Sequence, residues 1–234
     1  MNAEEIQIEE EAHAYIKAHP RELIERFAPS DSCHRAANPV SLFMAGSPGA
    51  GKTEVSKAFM ARFNDLPIRI DADDIRTFCP GYEGQSAHLY QKAANKGINI
   101  LYDYALKNGI NCILDGTFAY ALAEENIQRS IDKGRRIEVW FVYQDPQKAW
   151  EFTKVRELKE KRHVSKETFI KGFIGSRDNA IFVKNRFGKD IMLNLLVKDY
   201  EDNHEEFQLN ITGVELDRAT GDGYSEEKLR QTLL

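Results

Sequence analysis

The stretch SLFMAGSPGAGKTEVSKAF, Ser41 to Phe59, constrains the fold more than any other part of this 234-residue chain. An apolar run breaks into a glycine-rich turn and resumes as a helical pattern. Within it Gly46, Ser47, Pro48, Gly49, Ala50, Gly51, Lys52 and Thr53 match the phosphate-loop pattern GxxxxGK[ST] without departure. Glycines let the backbone turn tightly, so successive amide N–H groups point into one concavity and cradle phosphate oxygens. The helix that follows adds the positive end of its dipole. Lys52 is expected to reach the outer phosphates of ATP, and the Thr53 hydroxyl to ligate Mg2+. Such a loop joins a strand to a helix, so the fold around it must supply both.

The remaining chain supplies them in alternation. Five short apolar runs, VSLFMAG, PIRIDAD, NCILDGT, RIEVWFVYQ and DIMLNLLVKDY, read as strands. Between them KTEVSKAFMARF, SAHLYQKAANKGINILYDYALKNG and ALAEENIQRSIDKG are helical in pattern, and a longer helical region runs from about Gln147 to Asn185. Alternation of this kind predicts an α/β fold: a P-loop kinase-like parallel sheet of about five strands, covered by helices on both faces. The N-terminal EEIQIEEEAHAYIKA and PRELIERFA read as two amphipathic helices, with Pro20 opening the second. After Tyr200 the pattern weakens to an acidic tail, with a further strand in EEFQLNITGV and a last helix from Ser225. We expect one domain over 1–234. Residues 1–39 form N-terminal helices and a loop, 40–198 a core with a helical lid at about 147–185, and 199–234 a C-terminal acidic extension.

Composition bounds the function. Hydrophobic residues at 42% and charged residues at 29% give ample material for a core. No apolar run of about 18 residues predicts a transmembrane helix, and the acidic N-terminus lacks the basic start and apolar stretch of a signal peptide. Cys33, Cys79 and Cys112 are widely spaced with no metal or disulfide pattern, so a reducing cytoplasm is the expected location. The net charge of −5 hides an asymmetry, since Lys154 to Lys189 carries eleven Lys or Arg against four Asp or Glu. A basic segment in an acidic protein suits an anionic small molecule better than nucleic acid. A solvated helix face accounts for the same residues equally well.

The use made of the nucleotide is narrowed by what accompanies the loop. GTP switches usually read guanine with NKxD, and the one Asn-Lys pair, Asn95–Lys96, has no such Asp. Motor ATPases usually end a strand in Asp-Glu, whereas Asp115 is followed by Gly116. A small-molecule kinase instead needs a carboxylate to take the acceptor's proton, cations for the moving phosphoryl group, and a lid. RIDADDIR supplies Asp71, Asp73, Asp74 and Arg76 at the carboxyl end of the second strand, the edge that faces ligands in open α/β sheets. If the strand continues, Asp71 and Asp73 share a face and Asp74 turns away; some of these acids could instead cap the next helix. KVRELKEKRHVSK supplies Arg156 and Arg162, which a turn near KRHVS would bring toward one ligand. Tyr82 ends the CPGY turn beside the acids, either lining the acceptor pocket or buttressing the turn.

In order, GSPGAGKTE, IDADDIRTFCPGY and ILDGTF, followed by Arg156 and RHVSKETF, resemble the zeta toxin family over about Val40 to Phe173. The first motif is shared by very many proteins; the second is much more discriminating. Zeta toxins are nucleotide-sugar kinases of bacterial toxin–antitoxin systems. The resemblance implies Lys52 and Thr53 at the ATP phosphates and Mg2+, Asp73 as general base, and Arg76 in the same signature. It also implies Asp115 and Thr117 at the substrate, and Arg156 and Arg162 as lid arginines on the phosphates. It implies transfer of the ATP γ-phosphoryl to the 3'-hydroxyl of the amino sugar of UDP-N-acetylglucosamine or a related UDP-sugar, with toxicity through depletion of a cell-wall precursor. A small helical antitoxin is the implied partner. The family's substrate-binding glutamate has no counterpart in NKGINILYDYALKNG, where Asn99 and Asp103 are the candidates for its place.

Two other readings stand beside this one. The first is a P-loop kinase for another acceptor: a dinucleotide cofactor, another small metabolite, or a polynucleotide 5'-hydroxyl, the last disfavoured by the net negative charge. The second is a nucleotide-gated interaction module, which predicts ATP binding without acceptor-dependent turnover. The N-terminal helices raise a separate question, whether they pack on the core or lie over the basic lid as a restraint. Packing on the core is the expectation.

Overall fold

A computed structural model describes residues 1–161, 163–199, 204–220 and 224–233. Among the described residues six strands form one sheet: β1 (Val40–Ala45), β2 (Ile68–Asp71), β3 (Cys112–Asp115), β4 (Arg136–Tyr143), β5 (Met192–Asp199) and β6 (His204–Gln208). Their order is β2-β3-β1-β4-β5-β6. The first five are parallel, as the alternating pattern predicts, and β6 adds an antiparallel edge. The helices are α1 (Ala3–Ala18), α2 (Pro20–Phe27), α3 (Lys52–Met60), α4 (Ala72–Arg76), α5 (Gln91–Asn108), α6 (Ala123–Ile131), α7 (Pro146–Glu160), α8 (Lys166–Phe187), α9 (Gly213–Thr220) and α10 (Glu226–Thr232). None among the described residues is long and apolar enough to cross a membrane.

The strands are near-continuous apolar runs because both faces of the sheet are covered. Successive side chains alternate between two cores. Phe43 and Ala45 join Ile68, Ile70, Leu114, Val139 and Phe141 in the larger core, with α1, α2, α5 and α6. Leu42 and Met44 join Ile113, Trp140 and Val142 in the smaller one, closed by Val55 and Phe59 of α3. A third cluster lies outside the sheet, where Leu229 and Leu233 pack beside Ala149 and Trp150 of α7 and Phe169 and Phe173 of α8.

Two local outcomes, the end of the second strand and a helix after β6, differ from the sequence pattern, and the packing of the N-terminal helices agrees with it. The second strand stops at Asp71, because the Asp71 side chain accepts the Asp73 amide at 2.8 Å and caps α4. Asp71 and Asp73 therefore do not alternate along one strand. The segment after β6 contains α9, whose few buried residues, Gly213, Leu216 and Thr220, give too weak a period to read. The N-terminal helices lie on α5: Leu23 is fully buried, Lys92 pairs with Glu10 at 2.5 Å, and the Tyr15 ring lies 5.6 Å from that of Phe78.

The lid region divides as its sequence suggests. Asp145 caps α7, accepting from the amides of Gln147 and Lys148, and Pro146 occupies the first turn, where it loses no hydrogen bond. Lys161, with φ 57°, ends α7 in the left-handed region, and Ser165 caps α8 through the Thr168 amide at 3.2 Å.

Candidate nucleotide and phosphoryl-transfer site

The phosphate loop leaves β1 at Ala45 and enters α3 at Lys52. Its start is tied to the β3 side, where the Gly46 amide donates to the Thr117 carbonyl at 3.2 Å. Lys52 is 9% exposed, and its Nζ donates to the Ser47 carbonyl at 2.6 Å, which folds the ammonium over the loop. The lid is packed directly on this loop. At Gly49, with φ 77°, a Cβ would stand 2.0 Å from the Ala149 carbonyl of α7, so only glycine permits both the turn and the contact. On the other side a Cβ at Gly172 of α8 would stand 2.8 Å from Pro48 Cδ.

Behind the loop, side chains from four elements converge. Ser56 of α3 donates to Asp115 Oδ2 at 2.5 Å, and Arg69 of β2 donates to the same oxygen through Nε at 3.0 Å and Nη2 at 2.6 Å. Arg69 also pairs closely with Asp71 and Asp74. Burial alone would depress this guanidinium, but the Asp115, Asp71 and Asp74 carboxylates outweigh it and raise its pKa. It is a permanent charge. Thr53, three residues before Ser56 on α3, and Asp115 offer hard oxygen donors of the kind Mg2+ takes, so the residues present fit that ion.

Asp73 faces elsewhere. One carboxylate oxygen pairs with Arg76, one turn along α4, and the other lies 3.6 Å from an Nη of Arg156 on α7. Arg156 is one turn beyond Thr153, whose methyl would be 3.1 Å from a Cβ at Gly49. Helix α7 thus meets the phosphate loop at Ala149 and Thr153 and reaches Asp73 through Arg156. Arg76 is 6% exposed, with its pKa lowered by burial and partly restored by Tyr82 and Asp71. It reaches the amide oxygen of Gln91 at the start of α5, and Gln91 Nε2 donates to Asn95 Oδ1 at 2.8 Å. Tyr82 stands half-buried beside this group, edge-on to Tyr90 at 5.2 Å.

Most of the residues expected from the sequence meet here. Gly46 to Thr53, Asp71, Asp73, Arg76, Tyr82, Asp115, Thr117 and Arg156 all lie along the carboxyl edge of β1, β2 and β3 or on the elements facing it. Asp71 caps α4 and pairs with Arg69. Thr117 Oγ1 accepts the Ala119 amide at 3.3 Å. Asp103 is a correction. It stands on α5 twelve residues after Gln91, about 18 Å along the axis at 1.5 Å per residue. There it pairs with Arg129 of α6, bordering an open recess of about 350 Å³ with Lys107 and Asp132. Because α5 runs away from the carboxyl edge, Asp103 cannot take the glutamate's place. Arg162 lies outside the described residues.

Arg69, Ser56, Gln91 and Gly172 are site residues that the sequence reading missed. A charged residue in the middle of an otherwise apolar strand was the available signal for Arg69.

The Zeta toxin family model matches residues 25–210. Among solved structures, one described as the PezAT chromosomal toxin–antitoxin system of Streptococcus pneumoniae superimposes with a TM-score of 0.69 at 15% identity, covering 93% of each chain. The AvrRxo1-ORF1:-ORF2 complex with ATP gives a TM-score of 0.62 at 14% identity, covering 92% of this chain and 73% of that one. At such identities these likenesses show the fold. No curated protein matches the sequence.

Proposed function

The chain belongs to the zeta toxin family, and we propose that it transfers the γ-phosphoryl group of ATP to a hydroxyl of a UDP-linked amino sugar, with UDP-N-acetylglucosamine and its 3'-hydroxyl as the leading acceptor. The observation that carries this reading is the 3.6 Å approach of the lid's Arg156 to Asp73 in front of the phosphate loop. A proton acceptor and a lid cation at one point are what phosphoryl transfer to an alcohol requires.

In the proposed reaction the acceptor oxygen forms a bond to the γ-phosphorus while the bond from that phosphorus to the β,γ-bridging oxygen breaks. ADP leaves, and the hydroxyl proton passes to the Asp73 carboxylate. Lys52 and Arg156 offset charge on the transferring group and the leaving oxygen; the family likeness adds Arg162 to that role. Thr53 and Asp115 would hold Mg2+, which supplies further neutralisation of the β- and γ-phosphate oxygens when bound. Closure of α7 and α8 over Gly49 and Pro48 keeps water from competing for the phosphoryl group. A small helical antitoxin is the partner this reading implies, and loss of a cell-wall precursor is its route to toxicity.

A second reading keeps the chemistry and changes the acceptor. It is favoured by α5, which presents the amides Gln91 and Asn95 near Arg76 and carries no Glu. The test is ADP release with Mg·ATP against UDP-sugars, dinucleotides, small metabolites and DNA 5'-hydroxyl ends, with Asp73→Asn as control. Turnover with UDP-N-acetylglucosamine, lost in the variant, supports the first reading; turnover confined to another acceptor supports the second. ATP binding with no acceptor-dependent turnover would refute both.

A further inference from the structure

The amide side chains at the start of α5 have a fixed hydrogen-bond polarity, and it begins at Arg76. A guanidinium donates hydrogen bonds and accepts none. Arg76, 6% exposed, gives Nη1 to Asp73 Oδ1 and Nη2 to Gln91 Oε1. The Gln91 amide must therefore turn its oxygen to Arg76 and its nitrogen away. That nitrogen, Nε2, donates to Asn95 Oδ1, one turn further along α5, at 2.8 Å. The Asn95 oxygen is thereby drawn back toward Gln91, and the Asn95 nitrogen becomes the outermost group of the chain. Among the described residues Nδ2 of Asn95 donates to no protein group, and the residue is exposed.

An Asn or Gln side chain on a surface can offer a ligand either its oxygen or its nitrogen, because the amide can flip. Here a buried cation makes the choice from inside the protein. Two further features have the same sign. Arg76 Nε is buried and has no partner among the described residues, so donors are in surplus at the root of the chain as well. The one acidic residue of α5, Asp103, pairs with Arg129 toward the other end of the helix. The start of α5 thus meets a ligand with N–H groups, and its two amide oxygens already each hold a donor of the protein.

We propose that Asn95, oriented by Arg76 through Gln91, is a specificity-determining residue for the molecule that is phosphorylated. It donates a hydrogen bond to a carbonyl or phosphate oxygen of that molecule and disfavours an ammonium group at the same point. The proposal rests on reading Asp73 as the base that receives the hydroxyl proton. Three hydrogen bonds, Asp73 to Arg76 to Gln91 to Asn95, then tie the atom that takes the proton to the atom that reads the substrate.

The test is steady-state ADP release by the full chain with Mg·ATP and either UDP-N-acetylglucosamine or UDP-glucosamine, in which an ammonium group replaces the acetamide. Asn95→Asp keeps the oxygen that Gln91 bonds and puts a second oxygen where the outward N–H stood. It should raise the KM for UDP-N-acetylglucosamine by about tenfold or more and leave the ATP KM unchanged. Asn95→Ser, whose hydroxyl can still donate, should fall between Asn95→Asp and wild type. Gln91→Glu still accepts from Arg76 but has no nitrogen to give Asn95. An acid at the first position of α5 beside a cation should raise the thermal midpoint, yet the sugar-nucleotide KM should also rise; a merely structural Gln91 would not couple a more stable protein to weaker substrate binding. Both residues are exposed, and the thermal midpoints check that each variant is folded. An effect of Asn95→Asp confined to UDP-N-acetylglucosamine assigns the oxygen to the acetamide carbonyl, and an equal rise with both sugars assigns it to a phosphate. An unchanged or lowered KM for UDP-N-acetylglucosamine in Asn95→Asp would overturn the proposal. If wild type turns over another substrate and neither UDP-sugar, the UDP-sugar reading fails, and the same variants decide the proposal on that substrate's KM. No substrate-dependent turnover at all would refute the transfer reading and the proposal with it.

Discussion

Gly172→Ala separates stability from function at the lid. In the middle of α8 this change should stabilise the helix by about 1 kcal/mol through backbone entropy. The new methyl, however, would stand 2.8 Å from Cδ and 3.3 Å from Cγ of Pro48. Ordinary contact begins near 3.4 Å, so α8 or the phosphate loop must yield by about 0.6 Å. Pro48 cannot swing aside, because its ring is closed on its own backbone nitrogen. Overpacking of this kind costs about 1–3 kcal/mol, which leaves a net loss of at most about 2 kcal/mol after the propensity gain. The functional effect should be larger, since displacements near 1 Å in a reacting site can cost about a hundredfold. Calorimetry, the affinity for a fluorescent ATP analogue and acceptor-dependent ADP release, measured together, decide the matter. The expected result is a thermal midpoint lowered by no more than about 8 °C with kcat/KM down by about ten- to a hundredfold. Gly175→Ala is the control, because its methyl would come no closer than 3.2 Å to a neighbour, Ala119 Cβ. If Gly172→Ala matched Gly175→Ala and wild type in nucleotide affinity and turnover, the claim that the lid rests on Pro48 would be wrong.

Other outcomes follow from the same geometry. Asp73→Asn should lower kcat by about 10²–10⁴-fold, the usual worth of a general base, with ATP affinity retained. Gln91→Ala, which removes the amide facing Arg76, should raise the acceptor KM and leave the ATP KM unchanged in steady-state kinetics. Leu23→Ala should cost about 2–5 kcal/mol in chemical denaturation, because the side chain is fully buried beside Ile75 and Gly97. For the same reason a truncation beginning near Ala37 should lose solubility rather than gain activity. Burial pushes the Tyr120 and Tyr224 phenols up to about 12 from an ordinary 10. The folded state therefore holds these protons more tightly than the unfolded chain. That contribution is complete below pH 10 and is lost as pH rises toward about 12. Tyrosinate absorbance and circular dichroism followed together should show ionisation coinciding with unfolding in that window, whereas tyrosinate formation well before unfolding would refute it.

The parts of the fold that were legible in the sequence are those fixed by local chemistry. The phosphate loop, the five parallel strands and the break in the lid each carry their own signal: glycine spacing, doubly buried apolar runs, and the polar stretch KRHVS, where the structure has a left-handed Lys161 and the Ser165 cap. What escaped depends on partners far away in the chain. The direction of β6 is set by its pairing with β5, and α9 by contacts to α8, where a Cβ at Gly213 would meet Asn185 Oδ1 at 2.8 Å. Asp103 reads as a suitable carboxylate at the right distance in sequence. Only the course of α5, away from the site and toward Arg129, removes it.

The acidic run RIDADDIR shows how a change of local structure selects one acid among several. Read as a strand, it puts Asp71 and Asp73 on one face and offers both to an acceptor. As soon as Asp71 caps α4, the governing period becomes helical, and Asp73 shares its face with Arg76 three residues on. Asp71 and Asp74 are drawn back to Arg69, which lies two and five residues before them, and through it to Asp115 on the neighbouring strand. Asp73 is turned to the lid, where Arg156 reaches it. The cap therefore does more than start a short helix. It divides the three carboxylates into two that pair with Arg69 and one that faces Arg156. A substitution that weakens the cap while keeping Asp73 itself, such as Asp71→Ala, should impair turnover nearly as much as removing the base.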